Sequence, residues 1–219
     1  MKRYLDENKV GSLLTDVYGI IVNGDANGFQ KRLTAFLHEY LSLFFTPHHR
    51  EEVYQALCYM LIFSLFGNAY DVRMEHDAGF GRSDITAHPL GPHSILSVIF
   101  EIKAVATHIK RKGKRTLKSA DGVKRDLEKA KAEALKQMEV RRYRDRAPPH
   151  VKRVHEYAFV FAGKYCLAAV RTLERDATGD WCEVTTSTSV TSDNTVDGDD
   201  MDMDMDEDED TDEDTNANV

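Results

Sequence analysis

Three polar residues near the middle of the chain have the types and spacing found in hydrolytic metal sites. Glu101 and Lys103 follow a nearly continuous apolar run from Ser94 to Phe100, and Asp84 lies in the strand-like run before it. Successive residues of a strand point to opposite faces, so Glu101 and Lys103 share a face and Ile102 points into the core. Charges at the end of a buried strand are costly to desolvate unless they are paired, bind a metal or open into a cleft.

The carboxylates of Asp84 and Glu101 indicate a site for a divalent cation. Gly91 and Pro92 between the two runs are typical of a hairpin-like connection, which would place Asp84 opposite Glu101. Neighbouring carboxylates repel, and a hard cation such as Mg²⁺, with Mn²⁺ as the alternative, makes the pair favourable. Lys103 would orient an attacking water or balance charge on phosphate oxygens. An ordinary cross-strand salt bridge on a solvated face would have the same spacing, so the spacing alone leaves both interpretations open.

A longer ordered set of residues resembles a known family. The set comprises Glu75, Gly79 to Ile85, Phe100 to Lys103, Ala134 to Met138, and Tyr143. It resembles the PD-(D/E)XK nuclease superfamily, in the form of the domain often found C-terminal to an AAA-ATPase-like domain, over about Gly19 to Thr172. The chain departs from that pattern by a long basic insertion after Lys103 and by the lack of a preceding ATPase-like domain. An ATPase-like partner and the oligomeric state are therefore left open.

The resemblance implies a fold and a set of roles. The implied fold class is α/β, with a restriction-endonuclease-like αβββαβ core in which helices flank a mixed sheet. Asp84 and Glu101 would bind the metal, and Lys103 would act on the water and the transition state. Gln137 would reach back toward the metal site, where its amide could hydrogen-bond a water or phosphate oxygen. Glu75 would be a further site carboxylate, or else a solvent-facing residue paired with Arg73 or Arg82.

Charge is distributed very unevenly along the chain. All 29 Lys and Arg lie in residues 1–175, where 20 of the 37 Asp and Glu lie, so this part carries +9 and the remainder −17. A basic domain favours nucleic acid as partner, because phosphate neutralisation releases condensed counterions. The residues predicted to contact it are Arg82, Lys110, Arg111, Lys112, Lys114 and Arg115.

The basic run from Thr107 to Lys118 repels itself and predicts a mobile loop or an extended link. A solvated face or a nuclear-localisation signal would have the same composition. Because the run follows Lys103 directly, contact with a phosphate backbone is the alternative that bears on the site. Contact with a phosphate backbone is compatible with a solvated face or a nuclear-localisation signal.

Apolar periodicity predicts the elements that position these residues. Helices are expected over Phe29–Phe45, from Pro47 to Gly67, and over Val123–Tyr143 with Asp121 as cap and Pro148-Pro149 as stop. Strands are expected over Tyr70–Asp77, Ser83–Ala87, Ser94–Lys103, His155–Phe161 and Tyr165–Thr172.

Composition divides the chain into three parts. Residues 1–24 are predicted to be an N-terminal joint segment and residues 25–175 the nuclease-like domain. Residues 176–219 are predicted to be a disordered acidic tail, since Ser, Thr, Asp and Glu cannot bury enough apolar surface. The tail would be a solubilising end, or a competitor of nucleic acid for the basic face.

These patterns predict a metal-dependent nuclease-like domain that hydrolyses phosphodiester bonds, with DNA the favoured substrate. The alternative is a catalytically silent nucleic-acid- or protein-binding module on the same fold, including a nuclear effector. No apolar run is long enough to span a bilayer, so no membrane partner is expected. Three scattered cysteines favour an intracellular location, cytoplasmic or nuclear.

Overall fold

A computed structural model describes residues 16–40, 51–79, 81–111 and 114–184, without the side chains of residues 40, 76–78 and 109–115. The chain divides into two compact units, Met1–Thr186 and Ser187–Val219, and everything described below belongs to the first. Residues 187–219, which contain most of the predicted tail, lie outside the described residues. No helix among the residues described is both long and apolar enough to cross a membrane.

Three helices and two sheets make up the described part. The helices are α1 (Ala26–Tyr40), α2 (Glu51–Phe66) and α3 (Ala120–Arg141), and residues 16–22 are also helical. The strands are β1 (Tyr70–Ala78), β2 (Gly81–Pro89), β3 (Leu96–Ala104), β4 (His108–Arg111), β5 (Lys114–Leu117), β6 (Arg153–Ala162), β7 (Tyr165–Arg175) and β8 (Trp181–Glu183). The predicted α/β architecture of a mixed sheet flanked by helices is therefore confirmed.

The main sheet has the order β1-β2-β3-β6-β7-β8 and is antiparallel except where β3 pairs with β6. A parallel pair needs a long crossover, and α3 lies within it. β3 and β6 are buried on both faces, as their continuous apolar sequences predict. The charged end of β3 therefore lies in the middle of the sheet.

Apolar residues cover both faces of this sheet. On one face Ile85, Phe100 and Ile102 pack in the core that contains buried residues of α1 and α2. On the other face Ile99 packs in a smaller core with Met138 of α3. Glu101 lies two residues after Ile99 on the same strand, so its side chain lies on the face of the sheet that α3 covers.

A buried ion-pair cluster helps to hold α3 on the sheet. Glu156 of β6 has no exposed surface and binds two arginines, Arg144 at 3.3 Å and Arg171 at 3.0 Å. Arg144 lies in the 3₁₀ turn that follows α3, and Arg171 also pairs with Glu139 of α3 at 3.5 Å. The cluster therefore connects the end of α3 to the sheet, close to the helix residues that face β3.

The glycines before β2 have a packing role at the end of α3. Gly79 has a left-handed φ of 53°, and a Cβ there would overlap the carbonyl oxygens of Arg141 and Arg142. A Cβ at Gly81 would overlap the side chain of Arg141. These glycines let the β1–β2 turn approach the end of α3 closely, so their role in the described structure is one of packing.

The basic run after Lys103 differs from its prediction. Instead of a loop or link, β4 and β5 form a two-stranded antiparallel ribbon with His108 opposite Leu117 and Arg111 opposite Lys114. Backbone hydrogen bonding within the ribbon compensates for a sequence that has little apolar surface to bury. Lys112 and Gly113 lie outside the described residues.

The two predicted ends of α3 are also corrected. Ser119, rather than Asp121, caps α3, because its side chain accepts a hydrogen bond from Gly122 N. The helix ends at Arg141, before Pro148, since Arg142 adopts a left-handed conformation. The sheet also continues through β8, which pairs with β7 and lies within the region predicted as tail.

Candidate active site

Asp84 and Glu101 lie where strands β2 and β3 separate. The ladder between these strands ends at the pair Ile85 and Phe100, and the next positions outward are Asp84 and Glu101. Asp84 accepts a hydrogen bond from the backbone N–H of Ile102 at 2.6 Å through Oδ2. The predicted juxtaposition of the two carboxylates is therefore what the register produces.

Glu101 has one oxygen that is hydrogen-bonded and one that is not. Its side chain is fully buried, and Oε1 accepts from Lys103 Nζ at 2.7 Å and from Gln137 Nε2. Oε2 is buried without a hydrogen-bond donor among the residues described. A buried carboxylate oxygen without a partner is costly, so this atom indicates a ligand position.

Burial strongly affects protonation at this pair. Burial, followed by repulsion from Asp84, raises the pKa of Glu101 from 4.5 to about 7, against the opposing hydrogen bond from Lys103. Burial also raises the pKa of Asp84, while the hydrogen bond from Ile102 opposes that shift. Without a cation, ionisation of both carboxylates at the same time is unfavourable, so a positively charged ligand would stabilise the site.

Lys103 is a cationic donor in this arrangement. Burial acts to lower its pKa, but the hydrogen bond and charge of Glu101 outweigh that effect and raise the pKa above 10.5. Its side chain keeps 25% of its surface exposed, and Nζ also lies 3.9 Å from Oε1 of Glu51. The ammonium therefore stays protonated at neutral pH and remains accessible from solvent.

Gln137 connects Glu101 to the opposite side of the site. Its Nε2 is shared between Glu101 Oε1 and the hydroxyl of Tyr143, 3.0 Å away. That hydroxyl donates to the backbone carbonyl of Arg82 at 2.7 Å, two residues before Asp84. This chain of hydrogen bonds runs from β3 through α3 to β2 and fixes the relative positions of the two strands.

Two residues of α2 complete the site and were not found from the sequence. Gln55 is buried, and its Nε2 lies 3.1 Å from Asp84 Oδ1 and 3.3 Å from Glu51 Oε1. Two glutamines thus donate to the carboxylate pair, Gln55 to Asp84 and Gln137 to Glu101. The available signal was the spacing of four residues between Glu51 and Gln55, which places both on one helix face. This spacing does not by itself indicate a site, because the helix dipole already explains an acidic residue such as Glu51 in a first turn.

Glu75 lies beside the site without joining its contacts. Glu75 and Asp84 lie between the paired positions Met74–Ile85 and His76–Ser83 of the β1–β2 ladder, and the charge of Glu75 is among the causes that raise the Asp84 pKa. Its side chain is 56% exposed and pairs with Arg82 at 3.5 Å. Of the five predicted catalytic residues, the structure brings Asp84, Glu101, Lys103 and Gln137 together, and it places Glu75 at the edge.

The predicted nucleic-acid contacts lie in two places. Arg82 of β2 is exposed and pairs with Glu75 of β1. Lys110, Arg111, Lys114 and Arg115 lie on the ribbon, of which the structure describes the backbone at these positions. Lys112 lies outside the described residues.

A family model for the PD-(D/E)XK nuclease superfamily matches residues 49–170, which is more than half of the chain. The chain belongs to the PD-(D/E)XK nuclease superfamily. The matched region contains α2, β1, β2, β3 and α3, so every residue of the site lies inside it. No curated protein and no solved structure matches the chain. Superfamily membership identifies residues 49–170 as a nuclease-like domain.

PD-(D/E)XK nucleases generally use divalent metal ions, and the residues present here fit such an ion. The fit rests on Glu101 Oε2, a buried oxygen that no described residue donates to, next to the carboxylate of Asp84. Among the described residues no group of three His, Cys, Asp or Glu could hold a metal. Two carboxylates with water suit Mg²⁺, which keeps several waters when bound to protein.

The Glu101 pKa predicts a pH effect on stability. Because folding raises this pKa from 4.5 to about 7, the folded chain binds the proton more tightly than the unfolded chain. This contribution is fully present below pH 4.5 and is lost as the pH rises through 7. The shift corresponds to on the order of 3 kcal/mol.

Urea unfolding of the wild type and of Glu101→Gln in EDTA, at pH 5.5 and pH 8, measures this contribution. The variant is expected to gain unfolding free energy over the wild type mainly at pH 8. Titrating groups away from the site, including His155 with its pKa lowered by burial, cancel in the comparison. An equal difference at both pH values would contradict the raised pKa.

Proposed function

We propose that this PD-(D/E)XK domain is a divalent-metal-dependent nuclease that hydrolyses phosphodiester bonds, with DNA as its favoured substrate. The observation that carries the proposal is the buried Oε2 of Glu101 beside Asp84, which has no donor within the described part of the chain. The ammonium of Lys103 binds the other oxygen of the same carboxylate. A buried salt bridge alone would leave neither an acceptor without a donor nor two carboxylates together. The superfamily match supports nucleic acid as the substrate class.

Asp84 and Glu101 would hold the cation, which is Mg²⁺ in this proposal, with Mn²⁺ as a substitute. When bound, such an ion lowers the pKa of a water and stabilises charge on the phosphate. Lys103, protonated and partly exposed, donates to the attacking water or to a phosphate oxygen. Its raised pKa excludes it as a general base at neutral pH.

Gln55 and Gln137 act as positioning residues in this scheme. Each side-chain amide donates to one member of the carboxylate pair and adds no charge, whereas a carboxylate in place of either glutamine would add repulsion. Both donors to Glu101 use Oε1, which leaves Oε2 for the ion. Glu75, at the edge of the site, would influence Asp84 through its charge alone.

The substrate approaches a basic domain, and the basic ribbon and Arg82 are proposed as its contacts. An ATPase-like partner belongs to the proposal only through the resemblance to domains that follow AAA-ATPase-like domains. The intracellular location, cytoplasmic or nuclear, likewise rests on the few and scattered cysteines of the sequence.

Cleavage assays with purified protein test this function. Plasmid DNA, single-stranded DNA and RNA are incubated with Mg²⁺, Mn²⁺ or EDTA, and the wild type is compared with Asp84→Ala and Lys103→Ala. We expect metal-dependent cleavage by the wild type and its loss in both variants, because one loses a ligand and the other the cationic donor. Thermal unfolding establishes that each variant folds.

Lack of cleavage by the wild type in every metal, together with salt-dependent DNA binding, would contradict the nuclease assignment. It would favour the alternative of a catalytically silent binding module on the same fold.

A further inference from the structure

The basic ribbon of β4 and β5 is the largest feature of the described chain that the catalytic scheme does not use. Its backbone register places Lys110 opposite Arg115 and Arg111 opposite Lys114. Both positions of two consecutive pairs are thus cationic. Like charges directly opposite each other destabilise an antiparallel pair, so this ribbon gains from a polyanion that neutralises them.

Cationic positions occur on both faces of the ribbon. Residues alternate between faces along a strand, so the pair Lys110 and Arg115 belongs to one face and the pair Arg111 and Lys114 to the other. A flat polyanionic surface would contact one pair only. A partner that encloses the ribbon from both sides, such as a groove between two phosphate backbones, contacts both.

The root of the ribbon is tied to the elements that carry the site. Lys118 N donates to the carbonyl of Thr107 at 2.7 Å, which closes the base of the hairpin. Lys118 Nζ pairs with Asp126 of α3 at 2.7 Å. The ribbon therefore begins just after Lys103 of β3 and ends at the helix that carries Gln137.

The dimensions of the ribbon suit one class of nucleic acid. The two strands of such a ribbon lie about 5 Å apart, and the major groove of B-form DNA is about 12 Å wide and admits a two-stranded ribbon. The four-residue strands, about 14 Å long, exceed the groove depth of about 8.5 Å. The major groove of A-form RNA is deep and too narrow for side chains to read, and a single strand has no groove. Double-stranded DNA is the partner that this shape and charge fit.

We propose that the β4–β5 ribbon inserts into the major groove of duplex DNA and thereby selects B-form DNA over RNA and over single strands. The proposal rests on the proposed nuclease function, since it names the substrate class of the same site. A duplex held by the ribbon brings a backbone phosphate to the adjacent carboxylate pair.

Binding measured in EDTA separates this proposal from catalysis. Fluorescence anisotropy with labelled duplex DNA, duplex RNA of the same sequence and single-stranded DNA compares the full-length wild type with a ribbon variant. That variant carries Lys110→Gln, Arg111→Gln, Lys114→Gln and Arg115→Gln. The control variant removes the same charge from exposed positions of α3, with Lys124→Gln, Arg125→Gln, Lys129→Gln and Lys136→Gln.

We expect the wild type to prefer duplex DNA, and the ribbon variant to lose at least about tenfold of that affinity. The salt slope of log K should fall by about 3 to 4 in the ribbon variant, because four phosphate contacts are removed. Methyl green, which occupies the major groove, should displace the protein, and netropsin, which occupies the minor groove, should not. The control variant should keep the preference for duplex DNA.

Three results would overturn the ribbon proposal. They are equal affinity for the three nucleic acids, equal losses in the ribbon and control variants, and displacement by netropsin alone. Duplex binding through the ribbon without any cleavage would support the ribbon and contradict the nuclease function. Unchanged cleavage of duplex DNA by the ribbon variant would support the nuclease function and contradict the ribbon proposal.

Discussion

Glu101→Gln is expected to reduce metal-dependent cleavage by at least about a thousandfold, which corresponds to about 4 kcal/mol of transition-state stabilisation. The substitution keeps the shape of the side chain and an acceptor at Oε1 for Lys103 and Gln137. It replaces the negatively charged oxygen Oε2, which has no donor in the described structure, by a neutral amide group. An amide nitrogen cannot bind a cation, so metal affinity and cleavage should fall together.

The same substitution should not weaken the fold. The wild-type carboxylate resists ionisation, as its pKa of about 7 shows, so a neutral side chain costs less in the metal-free protein at pH 8. Loss of activity together with equal or higher stability would separate the functional role of Glu101 from a structural one. Mn²⁺ binding followed by electron paramagnetic resonance, cleavage rates and urea unfolding measure the three quantities.

Glu75→Gln is the matched control for this prediction. It makes the same chemical change at a carboxylate that is 56% exposed and paired with Arg82. We expect an effect of a few-fold at most, because this side chain reaches the site only through its charge on Asp84. If Glu75→Gln lost as much activity and metal affinity as Glu101→Gln, Glu75 would be a site carboxylate and its edge position would not describe the active state.

Glu156→Ala is expected to lower the free energy of unfolding by about 3 to 5 kcal/mol, a large part of the stability of an ordinary domain. Glu156 is fully buried, and its removal leaves the guanidinium groups of Arg144 and Arg171, each about one-eighth exposed, without their shared carboxylate. The cost arises more from the two desolvated guanidinium groups than from the loss of attraction, because Arg171 would keep only its pair with the exposed Glu139 among the described residues. Urea unfolding measures it directly.

Activity should fall in the same variant, because Arg144 directly follows Tyr143. The hydroxyl of Tyr143 holds Gln137 and the backbone of Arg82, so a displaced turn would disturb the donor to Glu101. Glu174→Ala is the control, since Glu174 pairs with Arg153 across the neighbouring strands while 44% of its side chain is exposed. Its expected cost is below about 1 kcal/mol. Equal costs in the two variants would show that the buried cluster is not the anchor of α3.

Local sequence patterns were sufficient for the order of the main elements and for most of the site. The apolar run before Glu101 predicts a central strand, and its two-residue period places Glu101 and Lys103 on one face. The turn residues Gly91 and Pro92 predict the antiparallel neighbour that carries Asp84. These properties are local or depend on one adjacent strand, so the sequence determines them.

The tertiary structure decided which further residues surround the carboxylates, because those contacts join segments that are distant in the sequence. Gln55 reaches Asp84, and Glu51 reaches Lys103, only because α2 packs across the ends of β2 and β3. A first-turn glutamate also has a sufficient local explanation in the helix dipole. Likewise, a dense basic run predicts self-repulsion, whereas its backbone pairing produces a ribbon. The sequence by itself indicated which residues are candidates for the proposed chemistry. The packing of α2 and α3 against opposite faces of one sheet decided which donors surround them and which carboxylate oxygen remains available.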